Sequence, residues 1–231
     1  MHLPVTTEHF LAEYWQQRPL LCPQALPNFE SPITAEELAG LAMEPDIDSR
    51  IVWQDAGVWH QQDGPFSEHA FQGAAPWTLL VEGVDRCDPR VSTLRNILPP
   101  LPRWRFDDVM VSFATDQAGV GPHFDRYDVF LLQGSGRREW RIGPHCDDTT
   151  PQLQENGLNL IPPFEPVQTY VLEPGDVLYV PPGVAHWGVA LGEAITYSLG
   201  FRAPSVGDLM ARRPDAALAR LAAPRLLAAG P

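Results

Sequence analysis

Gly121-Pro122-His123-Phe124-Asp125 is answered later in the chain by Pro174-Gly175-Asp176-Val177-Leu178-Tyr179-Val180-Pro181-Pro182-Gly183-Val184-Ala185-His186. In the second block an apolar run is bounded by Pro-Gly-Asp and Pro-Pro-Gly, the punctuation of a short strand between tight turns. In the first, an extended backbone would turn His123 and Asp125 to one face and Phe124 to the other, because side chains two apart share a side. The rigid Pro181-Pro182-Gly183 turn can aim the imidazole of His186 back into the same interior.

Two imidazoles and one carboxylate on one face of an octahedron leave positions open for a bidentate cosubstrate and O2, the ligand set of a non-haem Fe(II) oxygenase. A structural zinc site would close its shell, usually with Cys or a fourth ligand. A His-x-Asp pair alone is weak evidence, and the spaced second motif is what turns it into a metal reading. His2, His9, His60, His69 and His145 lie in helical or loop contexts without paired ligands and read as structural or exposed.

Outward from these blocks, short β-rich runs alternate with turns: Ser49–Trp53, Trp77–Val81, Asp108–Phe113, Tyr127–Gln133, Arg138–Ile142, Gln168–Leu172, Asp176–Val180 and Ala194–Phe201. With no intervening helices, that texture predicts a mainly β barrel or jelly roll. Gly134-Ser135-Gly136 predicts a hairpin turn within Tyr127–Ile142, and the proline-punctuated segment from Pro144 to Pro166 reads as a long loop near the barrel mouth. Upstream, Thr6 or Thr7 can cap a helix through Phe10, Leu11, Tyr14 and Trp15, and a second helix is expected over Ala35–Ala42 after Thr34.

The chain has 231 residues, 44% hydrophobic and 19% charged, which suits one large β domain. Its net charge of −13 argues against a nucleic-acid surface and is compatible with a basic protein partner. No window approaches a membrane span and no signal peptide is visible, so a cytoplasmic location is the expectation. Cys22, Cys87 and Cys146 have neither disulfide nor zinc spacing. All 16 basic residues are Arg, so any carboxylate-binding cation must be a guanidinium.

Strand parity selects one. Arg138 shares a face with the apolar Trp140 and Ile142 and points inward, while Arg137, Glu139 and Arg141 point out. By the same parity Asp108, Met110 and Ser112 share a face, and Tyr127 lies with His123 and Asp125. A carboxylate at Asp108 on an inner face would be costly without a partner, and an incoming guanidinium could supply one; its plainer role would be to cap a turn.

At Asp107–Phe113, Gly119–Phe130, Gln133–Arg138 and Tyr197–Pro204 the sequence resembles the cupin-fold JmjC-type 2-oxoglutarate oxygenases, and in particular the bacterial ribosomal oxygenases that hydroxylate an arginine. The likeness extends upstream through His9-Phe10-Leu11, Trp15–Pro19 and Glu37–Glu44, covering nearly all of residues 1–205. It implies a double-stranded β-helix over 1–205, including the N-terminal helical elements, followed by a short helical tail over 206–231. It further implies that Fe(II) is held by His123, Asp125 and His186, that 2-oxoglutarate chelates the iron and pairs its distal carboxylate with Arg138, and that O2 is the oxidant. Ser112 would help hold the cosubstrate. Asp108 would receive a substrate arginine, with Met110 and Tyr127 along its stem, and the oxidised position would be the arginine β-carbon in a basic large-subunit ribosomal protein.

Relatives of this kind continue into a helical dimerisation segment and a small winged-helix-like domain, so a homodimer is an expectation weakened by the short tail. Thr196 stands where relatives often carry Asn, and Asp116-Gln117-Ala118 replaces a more glycine-rich approach to the metal loop; either change could tune substrate choice. Two alternatives stay open: a metal cupin with other chemistry, disfavoured by Asp125 in place of a second His and by the lack of a following Glu, and a catalytically silent cupin that binds a basic protein.

Overall fold

The computed structural model describes residues 1–73 and 76–202. The expected tail over 206–231 lies outside them. Eleven strands carry the described residues: β1 (Leu20–Cys22), β2 (Ser49–Asp55), β3 (Val58–Asp63), β4 (Trp77–Val81), β5 (Phe106–Ala114), β6 (Asp128–His145), β7 (Leu153–Glu155), β8 (Leu158–Leu160), β9 (Gln168–Leu172), β10 (Val177–Val180) and β11 (Val184–Phe201). The main sheet runs β1-β10-β6-β11-β5-β4-β2-β3, with β9 joined to β6.

The architecture rests on two 18-residue strands, β6 and β11, antiparallel along their whole length. The first half of β6 lies between β10 and the end of β11, with Val129 opposite Val180 and Gly200; its second half lies between β9 and the start of β11, with Trp140 opposite Tyr170 and Gly188. Each long strand therefore belongs to one wall first and the facing wall afterwards. This is the double-stranded β-helix.

The expected hairpin at Gly134-Ser135-Gly136 is not formed. The segment is instead the corner of β6, with Gly136 at φ +63° facing the irregular stretch of β11 between Leu191 and Ile195, where Gly192 has φ +82°. Glycine accepts the left-handed backbone that a corner requires, and the continuous partner β11 holds the chain in one strand where isolated turn chemistry would reverse it. Between Pro144 and Pro166 the expected loop contains the β7–β8 hairpin. Short helices α3 (Val84–Cys87) and α4 (Pro89–Ser92), together with single 3-10 turns, interrupt what reads in sequence as an all-strand region.

Upstream, α1 (Thr7–Glu13) is capped by the Thr6 side chain accepting from His9 N–H, and α2 (Ala35–Leu41) by a complete Thr34/Glu37 capping box. Two cores result. Phe130 and Leu132 face outward from β6 into a layer with Phe10 and Tyr179, whose rings lie 5.1 Å apart, which docks α1 on the sheet. Val129 and Leu131 face inward with Trp140, Ile142, Leu172, Leu178, Val180 and Val184. Burying Phe10 alone is worth about 1.5–3 kcal/mol. At the start of β6 the fully buried Asp128 accepts from Arg105 at 3.2 Å and Gln16 at 3.1 Å, and from the Tyr179 hydroxyl. That network fixes the residue next to Tyr127.

Candidate metal centre and cosubstrate cavity

His123 and Asp125 do not lie in a regular strand, as parity alone would have it. His123 forms an isolated bridge to His186, its N–H donating to the His186 carbonyl at 3.1 Å and the reverse bond measuring 2.8 Å. Two residues later the Asp125 carbonyl accepts from Gly183 N–H at 2.7 Å. The loop is thus laced to the Pro-Pro-Gly turn and the first residues of β11, which retains the extended spacing that parity assumes. Gly183 takes φ +79°, and a Cβ there would meet the Cys146 carbonyl and the His145 ring at 2.8 Å, so the turn requires glycine.

One ligand atom from each of His123, Asp125 and His186 lies within 4.8 Å of the others. His123 Nδ1 is 3.0 Å from the Gly121 carbonyl and His186 Nδ1 is 2.9 Å from the Val184 carbonyl. A carbonyl can only accept, so each Nδ1 carries a proton and Nε2 is the nitrogen that each ring leaves for a metal. Burial, with a lesser contribution from His123, pushes His186 down to about 4, so its ring is neutral at neutral pH. The 3.6 Å approach of His186 Nε2 to Asp125 Oδ2 is therefore two acceptors facing each other and not an ion pair. Such an arrangement fits a divalent cation, and the backbone carbonyls behind each ring orient it for one.

These residues open into a cavity of about 510 Å³. Its facing wall is built by parity from four strands: Arg50 and Val52, Gln61 and Asp63, Thr78, Leu80 and Glu82, Met110 and Ser112. The β7–β8 hairpin adds Leu158, Asn159 and Leu160 at one side, and Tyr127, Ser198 and Arg202 complete the lining.

Arg138 enters this cavity from β6 and is 5% exposed. Its Nη1 donates to Ser112 Oγ at 3.3 Å, while Nε and Nη2 have no acceptor, and it joins no ion pair among the described residues. Desolvation lowers it to about 10, still charged at neutral pH. The alternation expected from sequence is present in the burial of 137 to 142. Ser112, 3% exposed, also approaches the Thr196 carbonyl at 3.5 Å.

Met110 and Tyr127 line the cavity, and burial followed by the Asp125 charge pushes the Tyr127 phenol well above its ordinary value. Asp108 stands one step beyond them, outside the lining. Its Oδ2 accepts from Gly83 N–H at 2.9 Å ahead of α3, and burial and then Glu82 raise its carboxyl. The turn-capping role is thus present in the structure. Besides the ligand Asp125, the acids that line the cavity are Asp63 and Glu82, with Glu82 paired to Arg50 at 2.8 Å. Sequence reading assigned neither these two acids nor Arg50 to the site, and it placed Trp140 on the inner face with Arg138 without giving it a role; the available signal for Asp63 was its alternation with Gln61 in a strand that sequence reading did not mark.

The chain is 43% identical to the ribosomal protein uL16 3-hydroxylase of Escherichia coli over 91% of its own length and 56% of that protein's, and 36% identical to a probable ribosomal oxygenase of Haemophilus influenzae over 89% and 52%. It therefore spans about half the length of the curated relatives it matches. A solved structure of the Escherichia coli ribosomal oxygenase YcfD with cobalt and 2-oxoglutarate superposes with a TM-score of 0.83 at 40% identity, covering 99% of this chain and 63% of that one. Residues 94–209, which include all three clustered ligands, match the JmjC domain, and the chain belongs to that family.

Proposed function

We propose that this protein is an Fe(II)- and 2-oxoglutarate-dependent protein hydroxylase whose substrate is an arginine side chain, hydroxylated at its β-carbon, in a basic large-subunit ribosomal protein. The observation that carries the reading is the pairing, in one cavity, of a clustered His-Asp-His set with a buried guanidinium that has no carboxylate partner among the described residues. An unpaired buried cation is costly, and a dicarboxylate that chelates a metal at one end and reaches Arg138 at the other fits both needs. The relatives support it: one is named for uL16 3-hydroxylation, and YcfD has been solved with cobalt and 2-oxoglutarate.

His123, Asp125 and His186 would hold the iron through the two Nε2 atoms and a carboxylate oxygen. Bound iron and 2-oxoglutarate supply the O2 chemistry, in which a C–H bond becomes C–OH while 2-oxoglutarate becomes succinate and CO2. Arg138 and Ser112 anchor the distal carboxylate, and Trp140, Val129 and Leu131 keep that end of the cavity apolar. Met110 and Tyr127 flank the substrate stem, and Asp108 with Glu82 gives the mouth negative charge for a guanidinium. The surface acidity suits a basic protein, and the bacterial relatives suit a cytoplasmic location; among the described residues no helix is long and apolar enough to cross a membrane.

The test is incubation of purified protein with Fe(II), 2-oxoglutarate and arginine-containing peptides from ribosomal proteins. Succinate and the mass gain of one oxygen atom should appear together. Peptide oxidation that survives omission of 2-oxoglutarate would overturn the assignment.

A further inference from the structure

Four buried side-chain donor atoms lack an acceptor among the described residues, and three of them, Arg138 Nε, Arg138 Nη2 and Trp140 Nε1, come from two residues that line the same cavity. The fourth, Arg105 Nε, belongs to the Asp128 network on the outer face of the sheet. Buried polar groups are nearly always satisfied, so a cluster of unsatisfied donors with no acceptor marks where an anion belongs. Arg138 is accounted for by the cosubstrate; Trp140 is not.

Trp140 is 5% exposed and two residues from Arg138, so both project from the same face of β6. The Arg138 guanidinium carbon lies 5.8 Å from the Trp140 ring centroid, which itself lies 5.9 Å from that of His186. The indole therefore neighbours both the metal ligand and the cation. Its position is fixed from behind: Trp140 faces Gly188 across the β6–β11 ladder, and a Cβ at Gly188 would come within 2.8 Å of the six-membered edge. The atoms nearest that backbone belong to the six-membered ring, and Nε1, on the five-membered ring, is buried with no acceptor among the described residues. A Phe would keep the apolar contact with less bulk, and the polar feature an indole adds there is one donor.

Resting on the reading above, we infer that Trp140 is a cosubstrate-binding residue, its Nε1–H donating a hydrogen bond to a carboxylate of bound 2-oxoglutarate alongside Arg138 and Ser112. A donor held by packing loses little freedom on binding, so its contribution is to orientation as well as affinity.

The test uses the full chain loaded with zinc(II) or manganese(II), so that nothing turns over. With manganese(II), calorimetric titration of 2-oxoglutarate into Trp140→Phe should show roughly tenfold weaker binding than wild type, the loss of one hydrogen bond to a charged acceptor, with manganese affinity and melting temperature near wild type. With zinc(II), the indole N–H resonance that is missing from the Trp140→Phe spectrum should move downfield in the wild type when 2-oxoglutarate is added. That measurement needs only the wild type to be fully stable. A wild type that binds 2-oxoglutarate with that resonance unmoved, or with equal affinity in a folded Trp140→Phe, overturns this inference alone. A wild type that binds metal but no 2-oxoglutarate overturns the proposed function and this inference with it.

Discussion

Replacing Arg138 with Met should make the metal-free protein more stable while abolishing its response to 2-oxoglutarate. Burial lowers the guanidinium from its usual value to about 10, and no acid among the described residues offsets it. A drop from 12.5 to about 10, at about 1.4 kcal/mol per pH unit, corresponds to a penalty of about 3–4 kcal/mol. For a base with a depressed folded-state pKa the unfolded chain binds the proton more tightly, so the penalty is present in full below about pH 10 and is relieved above it. Met fills a similar volume without charge, and the variant also forfeits the 3.3 Å bond to Ser112, worth about 1 kcal/mol. The net gain is about 1–2 kcal/mol after water in the cavity softens the penalty, or a rise in melting temperature of about 2–8 °C for a domain of this size. Scanning calorimetry at neutral pH, with and without manganese(II) and 2-oxoglutarate, reads both effects. Wild type should gain about 2.7 kcal/mol at a ligand concentration near 100 times Kd, and Arg138→Met should gain nothing from 2-oxoglutarate. A variant that melts below the wild type, or that keeps the full 2-oxoglutarate-dependent rise, would refute the reasoning.

The remaining expectations concern the ligands, the substrate end and the corner. Asp125→Ala or His186→Ala should weaken manganese(II) binding by roughly 100-fold or more, since a two-ligand site remains, and dialysis with metal readout checks it; retained affinity would move the metal elsewhere. Asp108→Ala should abolish peptide hydroxylation with 2-oxoglutarate affinity near normal, and should also cost about 1 kcal/mol because Gly83 N–H loses its acceptor. Asp108→Asn separates the two roles, keeping the acceptor while removing the charge; peptide turnover equal to wild type would leave only the structural one. Because burial and Glu82 raise this carboxyl, peptide affinity should fall on acidification at a higher pH than for an ordinary aspartate. Gly136→Ala puts a Cβ at φ +63° against the Glu193 carbonyl and should cost at least about 2 kcal/mol in urea unfolding; a neutral result would mean that the corner of β6 needs no glycine.

What the sequence determined by itself is everything that depends on neighbours along the chain. The first helix start was legible to within Thr6 or Thr7 and the second to the residue after Thr34, since caps are short-range hydrogen bonds; the strands Trp77–Val81 and Gln168–Leu172 were legible to the residue from β-propensity and turn chemistry, and the inward face of Arg138 follows from the two-residue period of a strand. The His123, Asp125 and His186 cluster was legible too, because each motif brings its own turn and only one pairing closes a ligand set. The tertiary structure decided what depends on partners far away in the chain. Gly134-Ser135-Gly136 is compatible with a reversal or a corner, and the choice fell to the 18-residue partner β11, whose pairing no local signal encodes. Likewise Asp108 and Glu82 are both acids on β-strand positions or next to them, yet only packing turns one toward Gly83 and the other into the cavity. Nor could sequence tell that Arg138 and Trp140 hold donors without acceptors, because satisfaction of a buried group is a property of everything that surrounds it.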